Sequence, residues 1–169
     1  MNVIHSIDAY LLRTMQRLCN YDRSKTHLAK QILTKYLNGE IQHKLEIIES
    51  KFTDLVEMYQ RTHVADISII RYLTHENVVL LDTEHATRLL TKVTKMLDYK
   101  PFPVITVHDA FRTHANNCDL VRYWYKEILA DLAESNILNS IMNELGHDDI
   151  VYSDPNVANA IRNSSYGLR

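Results

Sequence analysis

Val104, Ile105, Thr106 and Val107 are four consecutive β-branched residues in a chain whose other apolar residues recur at helical spacing. β-branching favours a pleated strand over a helix, so this run is the one convincing strand. It leads into His108-Asp109 and then into a second short segment, Ala110 to Thr113. Asn116 and Asn117 next offer caps for a long helix. The expected fold class is therefore mainly α with a small β-hairpin. A carboxylate at a strand end, on a hairpin pinned by buried aliphatics, is well placed to hold a metal ion rigidly.

The His-Asp pair carries no weight as a bare dipeptide. With 9 His and 12 Asp among 169 residues, chance alone gives roughly 0.6 such pairs. A second one occurs at His147-Asp148, after Gly146. The strand before His108-Asp109 and the helix after it are what set the first pair apart.

A chain of 169 residues, 46% of them apolar, is large enough for one domain with a real core. Its net charge of −2 excludes the clear basic excess of a free-standing nucleic-acid binder, though not a basic patch inside an assembly. Cys19 and Cys118 have no zinc-ligand spacing and read as two reduced thiols. No apolar stretch approaches membrane-spanning length and the first residues do not resemble a signal peptide. A cytoplasmic location without membrane partners is the expectation, in the host cell if the protein is viral. Three Gly and three Pro leave no flexible linker and no phosphate-cradling glycine loop.

The helices follow in order. Ile7, Leu11, Met15, Leu18 and Cys19 line one face of the first, with Ser6 a candidate cap and His5 and Asp8 three apart in its first turn. Ser24 is placed to cap a second, with Leu28, Ile32 and Tyr36 on one stripe and Leu33 and Leu37 beside it, ended by Asn38-Gly39. Ile41, Leu45, Ile48, Phe52, Leu55 and Tyr59 alternate four and three, a seam of under three heptads that calls for an intramolecular partner helix. His43 and His63 lie off that stripe. Residues 65–73 predict a short helix and 77–81 a strand or extended connection. Asp82 or Thr83 caps a helix with Ala86, Leu89, Leu90, Val93, Met96 and Leu97 inward. After the hairpin, Val121, Trp124, Tyr125, Ile128 and Leu132 form a core stripe. A further helix over 137–145 ends at Gly146, and Asp154-Pro155 opens a last short one.

Two separated segments resemble a known family. Asn-Val-Ile-His-Ser-Ile-Asp-Ala, at 2 to 9, is similar to the His-Ser-x-Asp segment of bacteriophage-type and mitochondrial single-subunit DNA-directed RNA polymerases. Val-His-Asp-Ala-Phe-Arg-Thr-His-Ala, at 107 to 115, resembles their third polymerase motif, the His-Asp-Ser-Phe hairpin of the palm. The ending Ile-Arg-Asn-Ser-Ser-Tyr, at 161 to 166, is similar to the way these enzymes finish, and the order along the chain agrees.

The resemblance implies that Asp109 is one of two catalytic aspartates holding a Mg²⁺ pair in nucleotidyl transfer, with His108 flanking it. It implies that His5 and Asp8 lie near the growing end of the RNA–DNA hybrid. Arg112 stands where a small residue is usual and is a candidate phosphate contact. The family's first catalytic aspartate and its fingers helix precede His-Ser-x-Asp and have no counterpart here. The expectation is the C-terminal part of a palm, either a subunit of a split polymerase or a piece of one, inactive alone. Its partners would be the rest of the polymerase, DNA template, RNA product and nucleoside triphosphates. His5 and His108 are separated by more than the family's usual single helix, so 22–82 reads as a helical insertion and 1–21 with 83–169 as the palm portion. Gly167-Leu168-Arg169 lacks the family's paired aromatics.

Three rivals compete. Family A DNA polymerases have a similar Val-His-Asp hairpin but typically continue with Glu, not Ala110-Phe111. Metal-dependent His-Asp phosphohydrolases carry their pair on a helix. A non-catalytic helical adaptor would use the heptad seam to bind a partner and leave His108-Asp109 inert.

Overall fold

The computed structural model describes residues 3–42, 49–107, 110–144, 146 and 155–165, without the side chains of 3–5 and 155. Seven α-helices lie among them: α1 (Val3–Cys19), α2 (Arg23–Leu37), α3 (Ser50–Thr62), α4 (Thr83–Leu97), α5 (Cys118–Glu134), α6 (Ile137–Glu144) and α7 (Pro155–Asn163). Two three-residue strands, β1 (Ile105–Val107) and β2 (Ala110–Arg112), form an antiparallel pair. The mainly helical class with one small hairpin holds.

The chain divides into two compact units. One comprises residues 1–20, 61–64 and 102–169; the other comprises 21–60 and 65–101. The sequence reading drew its boundaries at 21/22 and 82/83, whereas α4 groups with α2 in the second unit.

In the first unit α5 is the central helix, packed by α1 and by α7. Leu11, Met15, Leu18 and Cys19 from α1 are buried, as are Val121, Trp124, Ile128 and Leu132 from α5. Both stripes are those the periodicity predicts. Helix α1 begins by Val3, so Ser6 lies inside it instead of capping it. Asn117 occupies the position before α5 but makes no side-chain cap bond. A 3₁₀ turn over Ala115–Asn117 precedes the helix, and the His114 side chain accepts from the Asn116 amide. At the other end of α5, Ser135 Oγ accepts from the Ile137 amide at 3.3 Å and starts α6.

In the second unit α2 packs on α4. Asp22, not Ser24, caps α2, its carboxylate accepting from the Lys25 amide at 3.1 Å. Asp82 does the same for α4 through the His85 amide at 2.6 Å. The core of α2 is Thr26, Ala29, Ile32 and Leu33, while Leu28 is 48% exposed. The expected Leu28 stripe is rotated because residue 28, beyond Ile32, lies about 100° from Ala29 and about 140° from Leu33 on the helix circumference. Residues 67–71 and 78–80 are 3₁₀ turns, where the apolar runs predict a short helix over 65–73 and a strand or extended connection over 77–81. Asn77 fixes the link between them: buried, it accepts from the Thr74 amide at 2.8 Å and donates to the Tyr72 carbonyl at 2.7 Å. A side chain that satisfies two backbone groups stabilises a turn that apolar periodicity cannot reveal.

The heptad seam is only partly within view, since residues 43–48 fall outside the described residues. Within α3, Phe52 and Tyr59 are fully buried. Tyr59 stacks flat on His85 of α4, with ring centroids 3.8 Å apart. The seam meets its expected intramolecular partner there.

Candidate functional site

The hairpin is built by its approach. Phe102 and Val104 are buried, and the Phe102 amide donates to the Cys19 carbonyl at 2.9 Å, fastening the lead-in to the end of α1. Thr113 Oγ1 donates to the Pro103 carbonyl at 3.2 Å and clasps the base of the two strands. Pairing runs Ile105 to Arg112, Thr106 to Phe111 and Val107 to Ala110. Side chains alternate across a strand. Thr106 and Phe111 are half-buried, with Phe111 edge-on to Tyr125 of α5 at 6.0 Å. Ile105 and Val107 point out and are 62% and 44% exposed. The expected pinning by buried aliphatics holds at Val104 of the lead-in, whereas within the strands Phe111 and Thr106 face inward and Ile105 and Val107 face away.

The Val107–Ala110 pair brackets His108 and Asp109, which lie outside the described residues. Arg112 is exposed on β2, on the same face as Ile105 and Val107. Asp8 is exposed on α1, and His5 belongs to the same helix. Gln16, two turns beyond Asp8, reaches Thr106 Oγ1 with its amide nitrogen at 3.5 Å. Segments 2–9 and 107–115 thus belong to one body, joined through the far half of α1. Among the described residues, no group of three or more His, Cys, Asp or Glu side chains is arranged to hold a metal ion.

The third resembling segment is fixed to the same body. Arg162 of α7 forms ion pairs with Glu127 at 3.3 Å, with Asp131 at 3.5 Å and with Glu134, all on α5. The Arg162 guanidinium is held well above its ordinary range, chiefly by its bond to Glu134 and then by Glu127. Lys126 donates to the carbonyls of Arg162 and Ser164 at 3.2 and 3.3 Å, closing the end of α7. Glu127, Asp131 and Glu134 lie at one helical spacing on α5, a pattern that from sequence reads as a solvated acidic face.

Two features lay outside the sequence reading. Arg61, Asn136, Asn139, Ser140, Asn143 and Glu144 line an open polar cavity of about 470 Å³, crossed by an Arg61–Glu144 ion pair at 3.4 Å. None of the residues carrying the family resemblance lines it. The second is His85. It is fully buried in the other unit, and neither ring nitrogen has a hydrogen-bond partner among the described residues. Burial pushes its pKa down to about 4, helped by Lys92 and Arg88 and opposed by Asp82. Burial likewise pushes the hydroxyl of Tyr59 up to about 12. His85 stays neutral near pH 7 and acts there as an aromatic core residue.

No family model and no curated protein matches this chain. No helix among the described residues is long and apolar enough to cross a membrane.

Proposed function

We propose that this chain is the C-terminal palm portion of a phage-type single-subunit DNA-directed RNA polymerase. The other palm aspartate and the fingers would come from another polypeptide or from the rest of a longer one. The observation that carries the reading is topological. The three segments that resemble the family, 2–9, 107–115 and 161–166, fall in one compact unit, although about a hundred residues separate the first from the second. Most of the chain between them forms a unit of its own, as an insertion into a palm would.

In this reading Asp109, beside the paired strand ends Val107 and Ala110, supplies an anionic oxygen ligand. A hard carboxylate oxygen suits Mg²⁺, and one carboxylate satisfies one of its near-octahedral positions. Asp109 is therefore half of a pair. Asp109 would help to hold Mg²⁺, which would supply activation of the attacking 3′-hydroxyl and stabilisation of the leaving pyrophosphate. His108 flanks the carboxylate and positions it. Arg112, exposed on β2, offers a bidentate cation to a phosphate. His5 and Asp8 on α1 position the end of the RNA–DNA hybrid.

The adaptor alternative needs a free heptad seam. Phe52 and Tyr59 are spent inside the chain's own core, which weighs against it. The test is template-dependent nucleotide incorporation. The chain co-expressed with the polypeptide encoded immediately upstream incorporates nucleotides, and the chain alone does not. Robust RNA synthesis by the purified chain alone, or none by the pair, contradicts the reading.

A further inference from the structure

Asn38-Gly39 closes α2, and it is the one place in the chain where a glycine follows an asparagine. Such a pair at a helix end is most often only a cap, and here the cap is well made. Gly39 takes a φ of 76°, the left-handed conformation that a residue without Cβ adopts at no steric cost. The Asn38 amide donates to the Thr34 carbonyl at 3.0 Å, the Gly39 amide to Tyr36 at 3.0 Å and the Glu40 amide to Lys35 at 2.9 Å. The surroundings give the pair a second property. Asn38, Gly39 and Glu40 are all exposed, and a Cβ built on Gly39 would meet nothing within 4 Å. The Asn38 side-chain nitrogen donates to Glu40 Oε1 at a long 3.4 Å. An electrophilic amide carbon therefore stands in solvent beside a backbone nitrogen that no side chain shields.

The chemistry open to that pair is intramolecular. When hydroxide takes the proton from the Gly39 amide, its nitrogen attacks Asn38 Cγ. A C–N bond forms, the Cγ–Nδ2 bond breaks, and ammonia leaves with a proton from water. The product is a five-membered succinimide. Water then opens the ring at either carbonyl and leaves aspartate or isoaspartate at position 38.

The fold sets the rate. Ring closure needs Gly39 N eclipsed with Asn38 Cβ about the Cα–C bond. A ψ of −2° at Asn38 eclipses it with the Asn38 nitrogen instead, a third of a turn away. Rotating that bond carries the Gly39 and Glu40 amides off the Tyr36 and Lys35 carbonyls. The reaction therefore waits for the last turn of α2 to open, a low-cost event at a helix end. Tyr36 resists the opening, since its hydroxyl donates to the Leu81 carbonyl at 2.5 Å and ties that turn down.

We propose that Asn38-Gly39 is a site of spontaneous deamidation, gated by opening of the C-terminal turn of α2. The product weakens the cap that delayed it. Aspartate puts a negative charge at the negative end of the helix dipole and beside Glu40. Isoaspartate routes the main chain through the side chain and adds a methylene, so the bonds to Tyr36 and Lys35 lose their register. The site does not depend on the polymerase reading.

The experiment incubates the full chain at mildly alkaline pH, folded and in urea. Each asparagine is followed by peptide mass spectrometry after digestion in acid, and isoaspartate is counted by enzymatic methylation. Asn38 is expected to convert ahead of every other asparagine, Asn139 and Asn163 with their following serines being the internal comparison. Its conversion is expected to be slower in the folded chain by roughly 10- to 100-fold, the effect of two backbone hydrogen bonds that must break. Y36F is expected to raise the folded rate several-fold and leave the rate in urea unchanged. N38Q is expected to remove the signal, because the larger ring closes far more slowly. Conversion of Asn139 or Asn163 before Asn38, equal rates at Asn38 in the folded and unfolded chain, an unchanged folded rate in Y36F, or a signal that persists in N38Q would overturn the proposal.

Discussion

His85 shows how a single residue sets a pH limit on the fold. Its imidazole is buried without hydrogen-bond partners among the described residues, and burial lowers its pKa in the folded chain to about 4 against about 6.5 when exposed. A histidine whose folded pKa is lowered is protonated first in the unfolded chain. Its full contribution is present above about pH 6.5 and is lost as pH falls toward 4, by at most roughly 3 kcal/mol. Replacing it with Phe keeps the flat stack on Tyr59 and removes the titration. Urea melts of H85F are expected to show higher stability than wild type at pH 5 and a weaker dependence on pH between 4 and 6.5. An unchanged pH dependence would mean that another group titrates. Phe52, fully buried on α3, is the simpler case: F52A is expected to cost about 3–5 kcal/mol, read from the same melts.

At the scale of elements, charge fixes α7 where apolar burial is sparse. Ala158 is its buried residue, while Val157 is 47% exposed. Arg162 set among Glu127, Asp131 and Glu134 supplies the rest. Removing the guanidinium leaves three neighbouring carboxylates to repel one another. R162M is expected to destabilise docking of α7 by about 1–3 kcal/mol at low salt. Hydrogen exchange would report this as lost protection over 156–163, with the amides of α2 unaffected. The cap of α2 behaves independently: D22A is expected to cost about 1 kcal/mol.

These same elements show which parts of the fold sequence can reveal. Helical faces were legible where burial is one-sided, as in α1 and α5, because Leu11, Met15 and Leu18, or Val121, Trp124 and Ile128, fall at the period of the helix. The strand was legible from β-branching, but not which face it buries, since two three-residue strands with Thr106 and Phe111 inward give no alternation to follow. The 3₁₀ turns at 67–71 and 78–80 were misread because their apolar content is that of a helix or strand. Asn77, whose hydrogen bonds set the turn, is one polar letter among many. Arg162 and His85 were passed over for a related reason: their roles come from residues tens of positions away.

At the scale of the molecule, the chain divides into two compact units. Residues 1–20 and 102–169 belong together although 21–60 and 65–101 intervene. The segments bearing His5, Asp8, Arg112 and Arg162 are therefore parts of one body, as are both strands of the hairpin. Asp109 is the residue on which the polymerase reading turns, as half of a metal site completed by a second aspartate. The most direct measurement compares nucleotide incorporation by the assembly of this chain and its complementing polypeptide with the same assembly carrying Asp109→Asn. Loss of a direct metal ligand is expected to lower the rate by at least about 100-fold while the assembly still forms and co-purifies. Incorporation at the wild-type rate by the Asp109→Asn assembly would contradict the account.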